Sequence, residues 1–202
     1  MDLTTGQLIA IVVVLLIAIG IVFYFVQRRR SERLRAQFGP EYERAIAQEG
    51  DRRRVEAKLA ERAERVKSYH LKPLGAADRA SFLEAWNRVQ AQFVDNPASA
   101  VTDADRLLGQ VMTARGYPVT DFEQRAADIS VDHPGVVQNY RKAHEIALRH
   151  GRGEAGTEDL RKAMIHYRAL FEDIVSEPSA RENETVRDDV AARERRSRDF
   201  AA

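Results

Sequence analysis

Five histidines, at positions 70, 133, 144, 150 and 166, are the residues of this 202-residue chain whose type could hold a metal or carry a proton at neutral pH. Their spacing argues against most such chemistry. A helical metalloprotease site needs two histidines four residues apart around a glutamate, but His144-Glu145 is followed by His150 six residues on, which lies on a different face. A di-iron bundle needs a glutamate three positions before a histidine on two helices, and none of the five has one. The chain has no cysteine, which removes disulfides, thiolate zinc sites, iron–sulfur clusters and cysteine nucleophiles. No phosphate-cradling glycine loop, dinucleotide fingerprint or nucleophile elbow occurs. One arrangement survives. If the segment around residue 154 is a helical hairpin loop, Tyr140 comes close to Tyr167 and His144 close to Ala163, with His166 beside them. A buried cluster of Tyr140, His144, His166 and Tyr167 is then expected, serving as hydrogen-bonded core rather than as a catalytic, metal or cofactor site.

The elements that would position this cluster read as helices throughout. Phe82, Trp86, Val89 and Phe93 share one face of a helix ending at Asp95-Asn96-Pro97. Asn96 as cap and Pro97 at the first position open the next, along Val101, Ala104, Leu108 and Val111 up to Arg115-Gly116. Thr120-Asp121-Phe122-Glu123 has the form of a capping box for a short helix toward Ile129, and Ser130 to Pro134 is expected to cap another. The last two helices carry Val136, Val137, Tyr140, Ala143, Ala147 and Leu148, then, after Gly151-Arg152-Gly153, Leu160, Met164, Tyr167, Phe171 and Ile174. No segment alternates as a strand would. Residues 74–175 are therefore expected to form a bundle of four main helices and a short one, followed by a charged, disordered tail over residues 176–202.

The N-terminal part has a different character. Leu8 to Val26 contains no charged side chain, and at about 1.5 Å rise per residue it crosses most of a roughly 30 Å hydrocarbon core. A cleaved signal peptide would carry its basic residues before the apolar run, whereas here Arg28-Arg29-Arg30 follow it and Asp2 is the sole charge ahead of it. The reading is an uncleaved transmembrane helix over residues 8–26, with residues 1–7 outside and the remainder in the cytoplasm.

Residues 27–73 form a basic juxtamembrane arm: from 28 to 67 there are 13 Lys/Arg against 8 Asp/Glu, whereas residues 68–202 carry 19 against 22. Arg28, Arg29, Arg30, Arg33 and Arg35 lie within reach of an anionic inner leaflet. Nucleic acid is a poor fit, since no aromatic platform accompanies the arginines and the whole-chain balance is only +1. Gly39-Pro40 breaks the arm, yet Leu34, Phe38, Tyr42 and Ile46 keep a four-residue spacing across the break, as a two-piece helix would. Gly50-Asp51 marks a second break, after which Val55, Leu59, Ala63 and Val66 continue to about Ser68. A stripe this thin is expected to pack on the bundle, on another copy of the chain, or on a partner.

The apolar N-terminal span, Arg28-Arg29-Arg30-Ser31, Phe38-Gly39-Pro40-Glu41-Tyr42, Phe93-Val94-Asp95, Arg115-Gly116-Tyr117-Pro118, Ser130-Val131-Asp132-His133-Pro134 and His166-Tyr167-Arg168-Ala169-Leu170-Phe171 together resemble a group of uncharacterised bacterial membrane-anchored proteins. The resemblance implies a bacterial inner-membrane setting and carries no activity, substrate or site. The functional expectation is a non-enzymatic single-pass membrane protein, all-α, whose cytoplasmic bundle tethers a protein partner or a second copy. The alternative is a sensor of a small ligand or lipid head group. Trp86, Tyr117, His133, Tyr140, His144, His166 and Tyr167 are the candidate partner or pocket residues.

Overall fold

The structure, a computed structural model, describes residues 5–176, with side chains from Val14 onward. Among these residues there are eight α-helices and no strand: α1 (Thr5–Phe38), α2 (Pro40–Glu49), α3 (Arg52–Lys67), α4 (Ala76–Gln92), α5 (Pro97–Arg115), α6 (Phe122–Asp132), α7 (Val137–Gly151) and α8 (Thr157–Ser176). The expected charged tail lies outside the described residues from position 177. The chain divides into two compact units, Met1–Glu61 and Arg62–Ala202, with the division falling inside α3.

In the first unit the apolar run and the start of the arginine arm are one uninterrupted helix, α1. Nothing from Ile21 to Phe38 breaks it, because neither glycine nor proline stands in that stretch. Among the described residues no helix is long and apolar enough to cross a membrane. The described apolar side chains run from Val14 to Val26, which at 1.5 Å per residue is about 20 Å against the roughly 30 Å of a hydrocarbon core. The chain turns at Gly39, whose φ of 45° suits glycine, and Pro40 begins α2. Gly50 ends α2 in the left-handed conformation, and Asp51 caps the next helix by accepting from the backbone N–H groups of Arg53 and Arg54. Leu34, Phe38, Tyr42, Val55 and Leu59 are all buried within the single chain. Leu34, Phe38 and Tyr42 therefore offer no apolar surface to a second copy, although the four-residue spacing had left that open.

The second unit is the bundle. Its long helices α4, α5, α7 and α8 and the short α6 match the expected set. The most extensive packing is between α7 and α8, then between α5 and α8 and between α4 and α5. Asn96 caps α5 through Ser99, and Val101, Ala104, Leu108 and Val111 fill the core. Three local expectations are corrected. The cap of α6 is Asp121, accepting from Gln124 N–H, rather than Thr120. That helix also runs on to Asp132, because Ser130 turns its hydroxyl back to Ala127 O and leaves no cap for a new start. Finally, Leu148 is 52% exposed, since the stripe of α7 turns outward beyond Ala143.

Candidate functional site

The aromatic layer between α7 and α8 exists as the hairpin geometry requires. Tyr140 and Tyr167 are fully buried with ring centroids 6.1 Å apart, and His166 Nδ1 lies 3.1 Å from Asn139 Oδ1 one step along. The sequence gives no hint of the third wall. Phe122 of α6 packs against Tyr140 at 4.8 Å and lies flat on the His144 ring at 3.6 Å. Burial lowers the His144 imidazole below its usual value, with Arg125 adding to the effect and Asp105 and Glu123 opposing it. His166 is lowered as well, by burial and by Lys142.

Asp105 on α5 and Arg125 on α6 border the same layer, with Oδ2 and Nη2 at 3.7 Å. Burial, and then the Asp105 charge, push both phenols far above their ordinary range. Neither hydroxyl reaches a partner at ordinary hydrogen-bonding length among the described residues. The layer thus holds two phenols whose ionisation burial opposes and two imidazoles whose protonation burial opposes. It is built for packing, and the two tyrosines, being wholly covered, line no open cavity.

A second polar centre was not legible beforehand. Asp128 is buried in α6 and accepts from Arg65 Nε at 3.1 Å and Nη2 at 2.9 Å, from Tyr69 OH at 2.9 Å, and from Gln124 Nε2 at 2.8 Å. Burial alone would lower the Arg65 guanidinium, but Asp128 outweighs it and raises the group, while burial and then Asp128 raise the Tyr69 phenol. The signal available was a lone acid in Ala126-Ala127-Asp128-Ile129-Ser130-Val131, a stretch without any other charge.

Tyr69 also meets Tyr117 edge to face at 6.4 Å, and Tyr117 OH donates to Asp132 Oδ2 at 2.7 Å. Burial, and then Asp132, lift the Tyr117 phenol well above its ordinary range. Arg115 is buried and donates to the Ile174 carbonyl at 2.9 Å, and burial lowers its guanidinium. His133, also buried, brings Nδ1 to 2.5 Å from Asp173 Oδ2, and because a carboxylate can only accept, that nitrogen carries the proton. Tyr117 and His133 thus pin the two ends of the Gly116 to Pro134 segment. Beside it runs a concavity of about 430 Å³ between α5 and the loop, bordered by Met112, Pro118, Val119 and Arg125, with Val119 84% exposed.

Trp86 stands apart from the other candidates. It stacks on Phe171 at 4.7 Å and edges a shallow groove of about 180 Å³ with Phe93, Met164 and Ile165. Of the candidate pocket residues, Trp86 edges this groove without Tyr140 or Tyr167, both of which are fully buried. Of the remaining histidines, His150 Nδ1 donates to the Ala155 carbonyl at 2.9 Å and His70 is exposed. Among the described residues no three histidine, aspartate or glutamate side chains are grouped to hold a metal.

In the first unit Arg28, Arg29, Arg30, Arg33 and Arg35 are all exposed on α1. Arg28 pairs with Glu32 at 2.9 Å and Arg35 with Glu43 at 2.7 Å. Glu56 is buried and ties the hairpin: Tyr42 OH donates to it at 2.8 Å and Arg52 Nε at 3.0 Å. Burial would raise its carboxyl, but hydrogen bonds from Ser31, Tyr42 and Arg52 outweigh burial and hold it below its usual range.

Comparisons with protein-family models, with curated proteins and with solved structures find no match.

Proposed function

We propose that this chain is a non-enzymatic, single-pass protein of a bacterial inner membrane, with its N-terminus outside, whose cytoplasmic bundle tethers a protein partner. The observation that carries the membrane reading is the outer face of α1. From Val14 to Val26 its large hydrophobic side chains are 51–68% exposed, in a helix that continues without a break into the arginines. So much bare apolar surface is stable in lipid and costly in water. The sequence extends this run back to Leu8, and the arginines that follow it favour the cytoplasmic side.

The partner reading is supported by the Gly116 to Pro134 segment. It is held in place by Tyr117 and His133, yet presents Val119 and a concavity to the outside, which is how a rigid scaffold displays a recognition loop. The buried polar groups around it are engaged in holding helices together.

Photo-crosslinking in native membranes tests both halves. Probes at Val119 and at the exposed arm residue Arg54 are expected to yield one recurrent protein adduct at Val119, and the chain is expected to resist alkaline extraction. Extraction of the chain into the aqueous phase overturns the anchor. Absence of any protein adduct at Val119, with the anchor intact, overturns the tethering.

A further inference from the structure

The helical hairpin of the first unit does something the sequence order conceals. After two reversals, at Gly39 and Gly50, the start of α3 returns to the end of the apolar run. Arg52 and Arg53, about 25 residues downstream, there share a concavity of about 460 Å³ with Arg28 and Arg35, rimmed by Tyr24 and Gln27. Two glutamates also line it. Glu32 makes an exposed one-turn pair with Arg28, of the kind that contributes little and is easily exchanged, whereas Glu56 is buried and committed to Tyr42 and Arg52. Arg35 makes an exposed pair with Glu43, and the Arg53 guanidinium has no acidic partner among the described residues.

We propose that these four arginines form a site for the phosphate group of an anionic lipid. Guanidinium forks match phosphate oxygens two at a time, and several converging on one concavity take a multiply charged anion better than a scatter of surface cations does. The site's place selects the lipid source over a free anion. It begins two residues beyond Val26, at the depth where head groups lie if α1 is the anchor, and Tyr24 is an interfacial residue type on its rim. The proposal rests on the anchor reading for its choice of lipid, and on the hairpin geometry alone for its choice of phosphate. It explains why arginines recur at residues 52–54, where an exposed helix start otherwise favours acids.

The test uses the full chain in neutral detergent, titrated with short-chain phosphatidic acid or phosphatidylcholine, with bound lipid counted by native mass spectrometry. One phosphatidic acid is expected to be retained in preference to phosphatidylcholine. The double variant R52Q/R53Q is expected to weaken retention about fivefold or more, and R29Q/R33Q, which removes the same charge outside the concavity, less than about twofold. Because Arg52 also supports Glu56, R53Q alone is measured as well and is expected to weaken retention without changing helix content by circular dichroism. Equal losses in the two double variants, or no preference for phosphatidic acid, overturn the site. Displacement by an equal concentration of inorganic phosphate, with the same dependence on Arg53, overturns the lipid as ligand in favour of a free phosphate. Alkaline extraction of native membranes reads the anchor separately, so that its failure is not mistaken for failure of the site.

Discussion

Gly116 leaves room for the backbone of His70: a Cβ at position 116 would lie 2.5 Å from the His70 carbonyl oxygen. The glycine has a φ of 98°, and beside it Lys72 N–H donates to Arg115 O at 2.9 Å, so the segment before α4 is seated on the end of α5. Gly116→Ala meets both a backbone clash and a left-handed φ that an L side chain resists. The expected cost is about 3 kcal/mol or more in urea unfolding. Gly135→Ala, where a Cβ meets nothing within 4 Å, is expected to change stability by less than about 1 kcal/mol. Equal stability of the two variants would show that residues 70–72 do not dock there.

Asp128 gathers Arg65, Tyr69 and Gln124 around one buried carboxylate, so its removal takes the acceptor from three side chains at once. Asp128→Ala is expected to lose about 3 kcal/mol in chemical denaturation, the lower end of the range for a broken buried pair, because Arg65 keeps about a third of its side chain in water. Gln124→Ala removes one neutral donor and is expected to cost about 1 kcal/mol. A double-mutant cycle between Arg65 and Asp128 measures their coupling directly, and a coupling near zero rejects Asp128 as the organising group.

The reach of the sequence can be judged on these residues. Helical periodicity and caps located α4, α5, α7 and α8 and paired Tyr140 with Tyr167, since those features depend on residues near in sequence. Asp128 was missed because two of its three partners, Arg65 and Tyr69, stand about 60 residues earlier, and nothing in their spacing marks an acid on α6 as their target. The same limit hid the stacking of Phe122 on His144 and the return of Arg52 to Arg28. Leu148 failed in the opposite way. It belongs to an apolar spacing on α7, but the helix outruns the surface that could cover it.

Two buried tyrosines differ in what their hydroxyls do, and phenylalanine substitution separates them. Tyr117 OH donates to Asp132 at 2.7 Å, so Tyr117→Phe is expected to cost about 1–2 kcal/mol in urea unfolding by removing a hydrogen bond to a carboxylate. Tyr167 OH lies buried without a partner of ordinary length among the described residues. Tyr167→Phe is therefore expected to be neutral or slightly stabilising. The reverse ranking would show that the Tyr167 hydroxyl holds a tight hydrogen bond in solution.

The imidazoles of His144 and His166 give the bundle a pH dependence whose sign follows from their surroundings. Both are lowered in the folded chain, first by burial. Arg125 adds to this at His144 against the pull of Asp105 and Glu123, and Lys142 adds to it at His166. As pH falls from 7.5 toward 5.5 the unfolded chain takes up these protons first, near about pH 6.5, while the folded chain resists them. Stability is then unaffected by these groups above the unfolded value and declines below it. Histidine resonances followed by NMR are expected to show both midpoints below about 6.5. Urea unfolding across the same range is expected to lose part of its pH slope in His144→Phe, which keeps a ring against Phe122 but removes the proton site. Midpoints at the unfolded value would abolish the effect, and midpoints above it would reverse its sign and show that Asp105 or water reaches these rings more fully than their burial implies.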